Sequence, residues 1–276
     1  MKAEAGAAPS PTLLSDISYR LKGSLKTFRR MTYRMKSLAL SPSWLMQIGS
    51  RLRTLLFRRL RALLRQPAMG PGKAATFYPD LRAHVINLDY RTDRLKLFAD
   101  TASHMRFSTT RIPAVPNSNG ALGCVESHLI ALETVEKIGC DYHFIAEDDL
   151  EFLCPPEGLR QILAEFLANP EIDVLCLANN TLGPKIPVSR NLALAHSIST
   201  TAGYIIRPRA IPAITRSFSK TRELLLGGGL ISKSALDVVW QELQLGELLF
   251  AVPRKRICRQ RVSYSDITGK IKSYGV

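Results

Sequence analysis

From about residue 76 onward, short apolar runs alternate with longer stretches whose apolar residues recur every three or four positions. HVINL (84–88) reads as a strand, followed by a polar turn, YRTDR, and a helix through about Met105. RIPAV (111–115) predicts a second short strand, GCVESHLIALETVEKIG (123–139) a helix, and YHFIA (142–146) a third strand. PEGLRQILAEFLANP (156–170), bounded by prolines, reads as a helix. DVLCLAN (173–179) and TAGYIIRP (201–208) read as strands, and residues 209–219 and 235–245 have helical spacing. Strands alternating with helices at this interval predict an α/β domain with a mostly parallel sheet. No internal repeat is visible.

The pattern before residue 76 is different. Residues 1–12 are rich in Ala and Pro, and a basic, helix-compatible region runs from Leu13 to about Arg65. In its clearest part, residues 44–65, Leu45, Ile48, Leu52, Leu55, Leu56, Leu60, Leu63 and Leu64 mostly step by three or four. Arg51, Arg58, Arg61 and Arg65 fall largely on the other side, an amphipathic helix. Pro67, Gly70, Pro71 and Gly72 then form a linker. The sequence thus divides into a basic extension (1–75) and an α/β domain (76–276).

Charge sharpens that division. The net charge of +15 suggests a nucleic-acid binder until it is located. Residues 1–75 carry 15 Lys/Arg against Glu4 and Asp16, leaving the other residues at only +2. Three readings of the helix stay open: docking on its own domain, lying on an anionic membrane with arginines on lipid phosphates, or contacting nucleic acid. The aliphatic stripe, with little aromatic interleaving, favours the membrane over nucleic acid. No apolar run approaches the about 20 residues that cross a bilayer, and the N-terminus lacks the apolar core of a secretory signal. The expectation is a cytoplasmic protein held peripherally on the inner face of the cell membrane. The five cysteines form no C-x-x-C pair, which predicts reduced, buried thiols and no zinc site.

HFIAEDDLEF (143–152) ends a strand in three successive acids. Crowding like charges is unfavourable unless a cation or a proton sits among them. Strand carboxyl ends are where open α/β sheets bind ligands. Asp148 and Asp149 offer hard oxygens suited to Mn²⁺ or Mg²⁺, and such an ion could also hold a diphosphate; a solvated acidic turn is the alternative. There is no G-x-x-x-x-G-K-[ST], G-x-G-x-x-G or G-x-S-x-G motif. Gly227-Gly228-Gly229 reads as a mobile loop, a candidate lid. His128, beside Ser127 early in its helix, is placed to contact a phosphate or a sugar hydroxyl; the other reading is a partly buried histidine bonded to backbone.

Four segments together carry a resemblance. Ile86-Asn87-Leu88-Asp89-Tyr90-Arg91-Thr92-Asp93-Arg94, RIPAV, Gly123-Cys124-Val125-Glu126-Ser127-His128 and the strand ending Glu147-Asp148-Asp149 resemble, in order and spacing, the glycosyltransferase family 25 proteins. That family includes lipopolysaccharide-biosynthesis galactosyl- and glucosyltransferases. TAGY (201–204) and Ala235-Leu236-Asp237 fit the pattern too, so the similarity spans about residues 82–240; the basic extension and the C-terminal end lie outside it.

The resemblance implies a GT-A type, Rossmann-like nucleotide-sugar domain that transfers a hexose from a UDP-hexose donor to a glycan or lipid-linked acceptor, with inversion. It implies Asp148 and Asp149 on Mn²⁺ or Mg²⁺, and Asn87, Asp89, Arg94, Ser127 and His128 near the donor. Asp237 is the candidate base, with Glu147 orienting the site, and Asp266 in SYSDI a further candidate. A degenerate binding domain, or a nucleotidyltransferase or phosphohydrolase using the same acids, remain the alternatives.

Overall fold

The structure, a computed structural model, describes residues 81–181, 185–265 and 270–272. The predicted basic helix, the linker, the boundary at residue 75 and Asp266 lie outside the described residues.

The strands are β1 (Arg82–Asn87), β2 (Ser108–Pro113), β3 (His143–Glu147), β4 (Leu150–Phe152), β5 (Val174–Cys176), β6 (Asn180–Thr181), β7 (Ile186–Pro187), β8 (Leu192–Leu194), β9 (Ile198–Ser199), β10 (Gly203–Ile206), β11 (Phe250–Pro253), β12 (Cys258–Gln260), β13 (Ser263–Ser265) and β14 (Lys270–Lys272). The helices are α1 (Thr92–Met105), α2 (Gly120–Glu136), α3 (Pro156–Leu167), α4 (Ile211–Leu226), and the single turns α5 (Ile231–Ser234), α6 (Leu236–Val239) and α7 (Gln241–Gln244).

Eight strands form one sheet in the order β2-β1-β3-β10-β5-β11-β8-β7. Six run the same way, and β10 and β8 run against them. The predicted α/β class and mostly parallel sheet are therefore what the chain forms.

Alternation along the strands decides which helices cover which face. Ala83, Val85, Phe144, Ala146, Leu175, Ile205 and Ala251 point to one side, where Phe98, Ala102 and Met105 of α1 and Leu159, Leu163 and Phe166 of α3 meet them. Ile86, Ile145, Val174, Cys176, Tyr204, Ile206, Phe250 and Val252 point to the other, against α2 and α4. Both faces are apolar because both are covered, which is why these strands read as unbroken apolar runs. Trp240, fully buried on the second face, donates its indole N–H to the Ile198 carbonyl at 2.9 Å.

Several boundaries differ from the pattern. α2 begins three residues before the predicted start, because Asn119 caps it by accepting from the Leu122 N–H at 3.3 Å. β2 starts at Ser108 although its first residues are polar, since it is an edge strand with one side open. Helix α4 runs on to Leu226, and Gly227, Gly228 (φ +79°) and Gly229 form its closing turn. A Cβ on Gly229 would lie 2.6 Å from Ser234 Oγ and 2.7 Å from the Leu224 carbonyl oxygen. No helix among the described residues is long and apolar enough to cross a membrane.

Candidate functional site

β1 and β3 are parallel neighbours, so their carboxyl ends bring Asn87 beside Glu147 and the acidic turn that follows. The N-terminal half of α2 comes down on the same end of the sheet. Together they wall a cavity of about 490 Å³, lined among others by Asn87, Tyr90, Arg94, Cys124, Ser127, His128, Glu147, Asp148, Asp149 and Gln260. Three sequence-predicted segments, far apart in the chain, thus share one cavity.

Two acids are matched with Arg94. Its guanidinium donates to Asp148 Oδ1 at 2.9 Å and approaches Asp149 Oδ2 at 3.4 Å. Asn87, buried at the end of β1, donates from Nδ2 to Asp148 Oδ2 at 2.7 Å and to the Arg91 carbonyl at 2.9 Å. Arg111 in turn donates to Asn87 Oδ1 at 3.1 Å and pairs with Asp89. Asp89 is exposed and is not among the cavity-lining residues; it steadies Arg111, which steadies Asn87. Arg94, expected near the donor, has its guanidinium on the acids.

Glu147 is the hub of the other half. Its Oε1 accepts from Thr201 Oγ1 at 3.1 Å and lies 3.4 Å from His128 Nε2, and its Oε2 accepts from Gln260 Nε2 at 3.4 Å. His128 is 1% exposed and meets side chains, not backbone: its Nδ1 lies 3.0 Å from the Tyr204 hydroxyl. Ser127 lines the cavity, but its hydroxyl donates to the Gly123 carbonyl at 2.6 Å and accepts from the Val115 N–H at 2.8 Å. It fastens the loop after β2 to α2. Gly123 permits that approach, since a Cβ there would meet the Val115 oxygen at 2.7 Å.

Burial and neighbouring negative charge govern the electrostatics of the site. Burial, then Glu147, pushes the Asp149 carboxyl up to about 7, and burial raises Asp148 despite Asn87 and Arg94. Burial, and after it Glu147, also raises Asp237 in α6 and the Cys124 thiol. Asp237 is not among the lining residues, yet it feels the Glu147 charge, second only to its own burial. Four acids, Glu147, Asp148, Asp149 and Asp237, therefore crowd a region where one guanidinium pairs with two of them.

The residues suit a hard divalent ion on one observation in particular. Asp149 Oδ1 is buried with no hydrogen-bond partner, and an unpaired buried carboxylate oxygen is unfavourable without a cation or proton. Asp148 and Asp149 are oxygen donors of the kind Mg²⁺ or Mn²⁺ takes.

Sequence reasoning missed Arg111, Thr201, Tyr204 and Gln260 as partners of the site. Thr201 and Tyr204 stood in the TAGY segment; nothing marked Gln260, which arrives because β12 pairs with β4 right after the acidic turn. The five cysteines are unpaired, Cys176 and Cys258 buried, Cys124 and Cys154 half-buried, and Cys140 exposed, so the expected burial holds for only part of the set.

No family model matches this chain, and no curated protein matches it. Among solved structures, it is similar to a glycosyltransferase involved in the glycosylation of the major capsid of PBCV-1, at 12% identity and a TM-score of 0.40. That match covers 64% of this chain and 93% of the other. It is also similar to the mannose-1-phosphate geranyltransferase from Thermus thermophilus, at 12% identity and a TM-score of 0.35, covering 63% of this chain and 73% of that one. Likenesses this distant say nothing of the chain's activity.

Proposed function

We propose that the chain is an inverting glycosyltransferase of the GT-A type, moving a hexose from a UDP-sugar to a hydroxyl of a glycan or lipid-linked acceptor. The observation that carries the reading is the shared cavity: the INLDYRTDR, GCVESH and EDD segments, which together resemble family 25, wall one space. At about 490 Å³ it is in the range of small-molecule and cofactor sites.

A divalent ion held by Asp148 and Asp149 would neutralise the charge of a departing diphosphate. The protein's own groups do the rest. Arg94 and Asn87 fix the two carboxylates in place before any ligand arrives. Such preorganisation lowers the reorganisation needed as charge develops. Inversion in one step needs a carboxylate to take the acceptor hydroxyl's proton from the face opposite the leaving group. Asp237 fits that role chemically, since burial raises its proton affinity. Glu147, held by Thr201 and Gln260 beside His128, orients the site.

The test is a panel of UDP-sugars with the full chain and Mn²⁺, reading donor hydrolysis and transfer. Hydrolysis of UDP-galactose or UDP-glucose, lost in a folded Asp149→Asn variant, supports the proposal. Absence of UDP-sugar binding with every divalent ion overturns it. We extend the proposal to place the enzyme on the inner face of the cell membrane in cell-surface glycan synthesis, carried there by the basic segment 44–65. Full chain should sediment with anionic vesicles, and a variant with Arg51, Arg58, Arg61 and Arg65 changed to Gln should not; unchanged sedimentation refutes the extension.

A further inference from the structure

Cys124 and His128 stand four residues apart on α2, and Glu147 ends the neighbouring strand β3. One ligand atom from each, a thiol sulfur, an imidazole nitrogen and a carboxylate oxygen, lie within 4.8 Å of one another. From this we propose a second cation site on Cys124, His128 and Glu147, selective for a borderline-soft ion of the Zn²⁺ kind and separate from the hard-oxygen pair Asp148 and Asp149.

The donor set is the first argument. Two carboxylates suit Mg²⁺ or Mn²⁺, whereas sulfur and imidazole nitrogen favour zinc and its neighbours. Tetrahedral ligands at zinc bond lengths sit about 3.5 Å apart. His128 Nε2 and Glu147 Oε1 are already 3.4 Å apart, so closure requires only that the Cys124 sulfur draw in.

The second argument is the surrounding shell. A metal-binding histidine is held by a hydrogen bond at its other nitrogen. His128 has one: Nδ1 lies 3.0 Å from the buried Tyr204 hydroxyl, which leaves Nε2 turned to Glu147. Thr201 and Gln260 likewise fix the Glu147 carboxylate. Ligands oriented this way by their own neighbours are costly to arrange by chance, and neither Thr201 nor Tyr204 touches the Asp148–Asp149 pair.

Access and charge are the third. All three residues line the cavity, so a metal with three protein ligands would present its fourth position to that space. Burial first, then the charges of Glu147, Asp237 and Asp149, raises the Cys124 thiol and disfavours a bare thiolate. The same field attracts a dication, and binding would release the thiol proton to solvent as the sulfur–metal bond forms.

The proposal does not rest on the transferase reading, and its test needs no activity. The full chain, reduced and metal-free, is titrated with Co²⁺, whose thiolate complexes show a charge-transfer absorption in the near ultraviolet. One equivalent should produce that band, and Zn²⁺ should bleach it. Cys124→Ser should abolish it, while Cys140→Ser, removing the exposed thiol, and Asp149→Asn should retain it. Tyr204→Phe, which keeps every ligand, should raise the dissociation constant by about 10–100-fold. Urea unfolding of each variant shows that the fold is intact. No band in the wild type, a band that survives Cys124→Ser, or one lost in Cys140→Ser overturns the site. A UDP-sugar panel that fails while the band behaves as expected would sink the transferase reading alone.

Discussion

Replacing Asp149 by Asn should make the metal-free protein more stable at pH 8, although the residue sits at the centre of the candidate site. Asp149 is 7% exposed, and its carboxyl is pushed from 3.8 up to about 7, by burial first and Glu147 second. A carboxyl whose folded-state value is raised stabilises the fold fully below its unfolded value, and loses that contribution as pH rises through the folded one. The window here is about pH 4 to 7. Each unit is 1.36 kcal/mol, so ionising Asp149 forfeits about 4 kcal/mol by pH 8. Asparagine carries no charge and avoids that loss. It gives up a 3.4 Å contact with Arg94, which keeps its closer 2.9 Å contact with Asp148; the raised Asp149 value is already net of that Arg94 charge. The net gain is therefore about 3–4 kcal/mol at pH 8. Because part of the forfeit, about 2 kcal/mol, has already accrued at pH 5, the variant's advantage over wild type should widen by about 2–3 kcal/mol between pH 5 and pH 8. Urea unfolding in EDTA at both pH values measures it. Mn²⁺ at 100 times its dissociation constant should then return about 2.7 kcal/mol to wild type and little to the variant. A variant less stable than wild type at pH 8, or a gap that does not change with pH, would show that Asp149 is not held under electrostatic strain.

His84 and His143 lie on adjacent strands with ring centroids 6.4 Å apart, and each has a buried ring nitrogen without a partner. Burial lowers both below 6.5, and His143 lowers His84 further, so their contribution is complete above about pH 6.5 and is lost as pH falls toward the depressed values. The urea midpoint of a His84→Phe, His143→Phe double variant should therefore depend less on pH between 5 and 6.5 than that of wild type; equal slopes would contradict this. Gly123→Ala places a Cβ 2.7 Å from the Val115 backbone oxygen, which cannot rotate away as a side chain could. It should cost about 1–3 kcal/mol by overpacking and weaken UDP-sugar binding by at least about tenfold through displacement of the 115–117 wall, an effect that isothermal titration would detect.

The elements legible in the sequence were those whose apolar pattern is dictated by burial on both faces. β1, β3 and β10 stood out because helices cover each side, and α2 because its buried positions follow a helical stripe. Strand direction was not legible. Gly203–Ile206 alternates between the two cores just as a parallel strand would, yet β10 runs against both its neighbours, β3 and β5. β7, β8 and β12 are two or three residues long, too short for any period to register, and they exist because longer elements present edges for them to pair with. Gln260 owes its place to such a pairing.

The site was legible as a set of segments but not as a set of contacts. Sequence order places Asn87, His128 and the EDD turn in different motifs; parallel pairing of β1 with β3 is what makes one cavity of them. Contacts then reassign the roles. Asp89, counted with the donor residues, faces solvent beside Arg111, and Ser127 spends both capacities of its hydroxyl on backbone. Arg94 supplies the cation that three adjacent acids demand, but its ion pairs are with Asp148 and Asp149. Glu147 relies instead on Thr201, His128 and Gln260. Gln260 reaches both Glu147 and Asp149, but the other partners of the acids differ between two halves. One half is balanced by a guanidinium and keeps a single unpartnered oxygen, and the other borders a thiol and an imidazole. Two halves with different donor chemistry are a physical reason to expect two kinds of cation at one strand end.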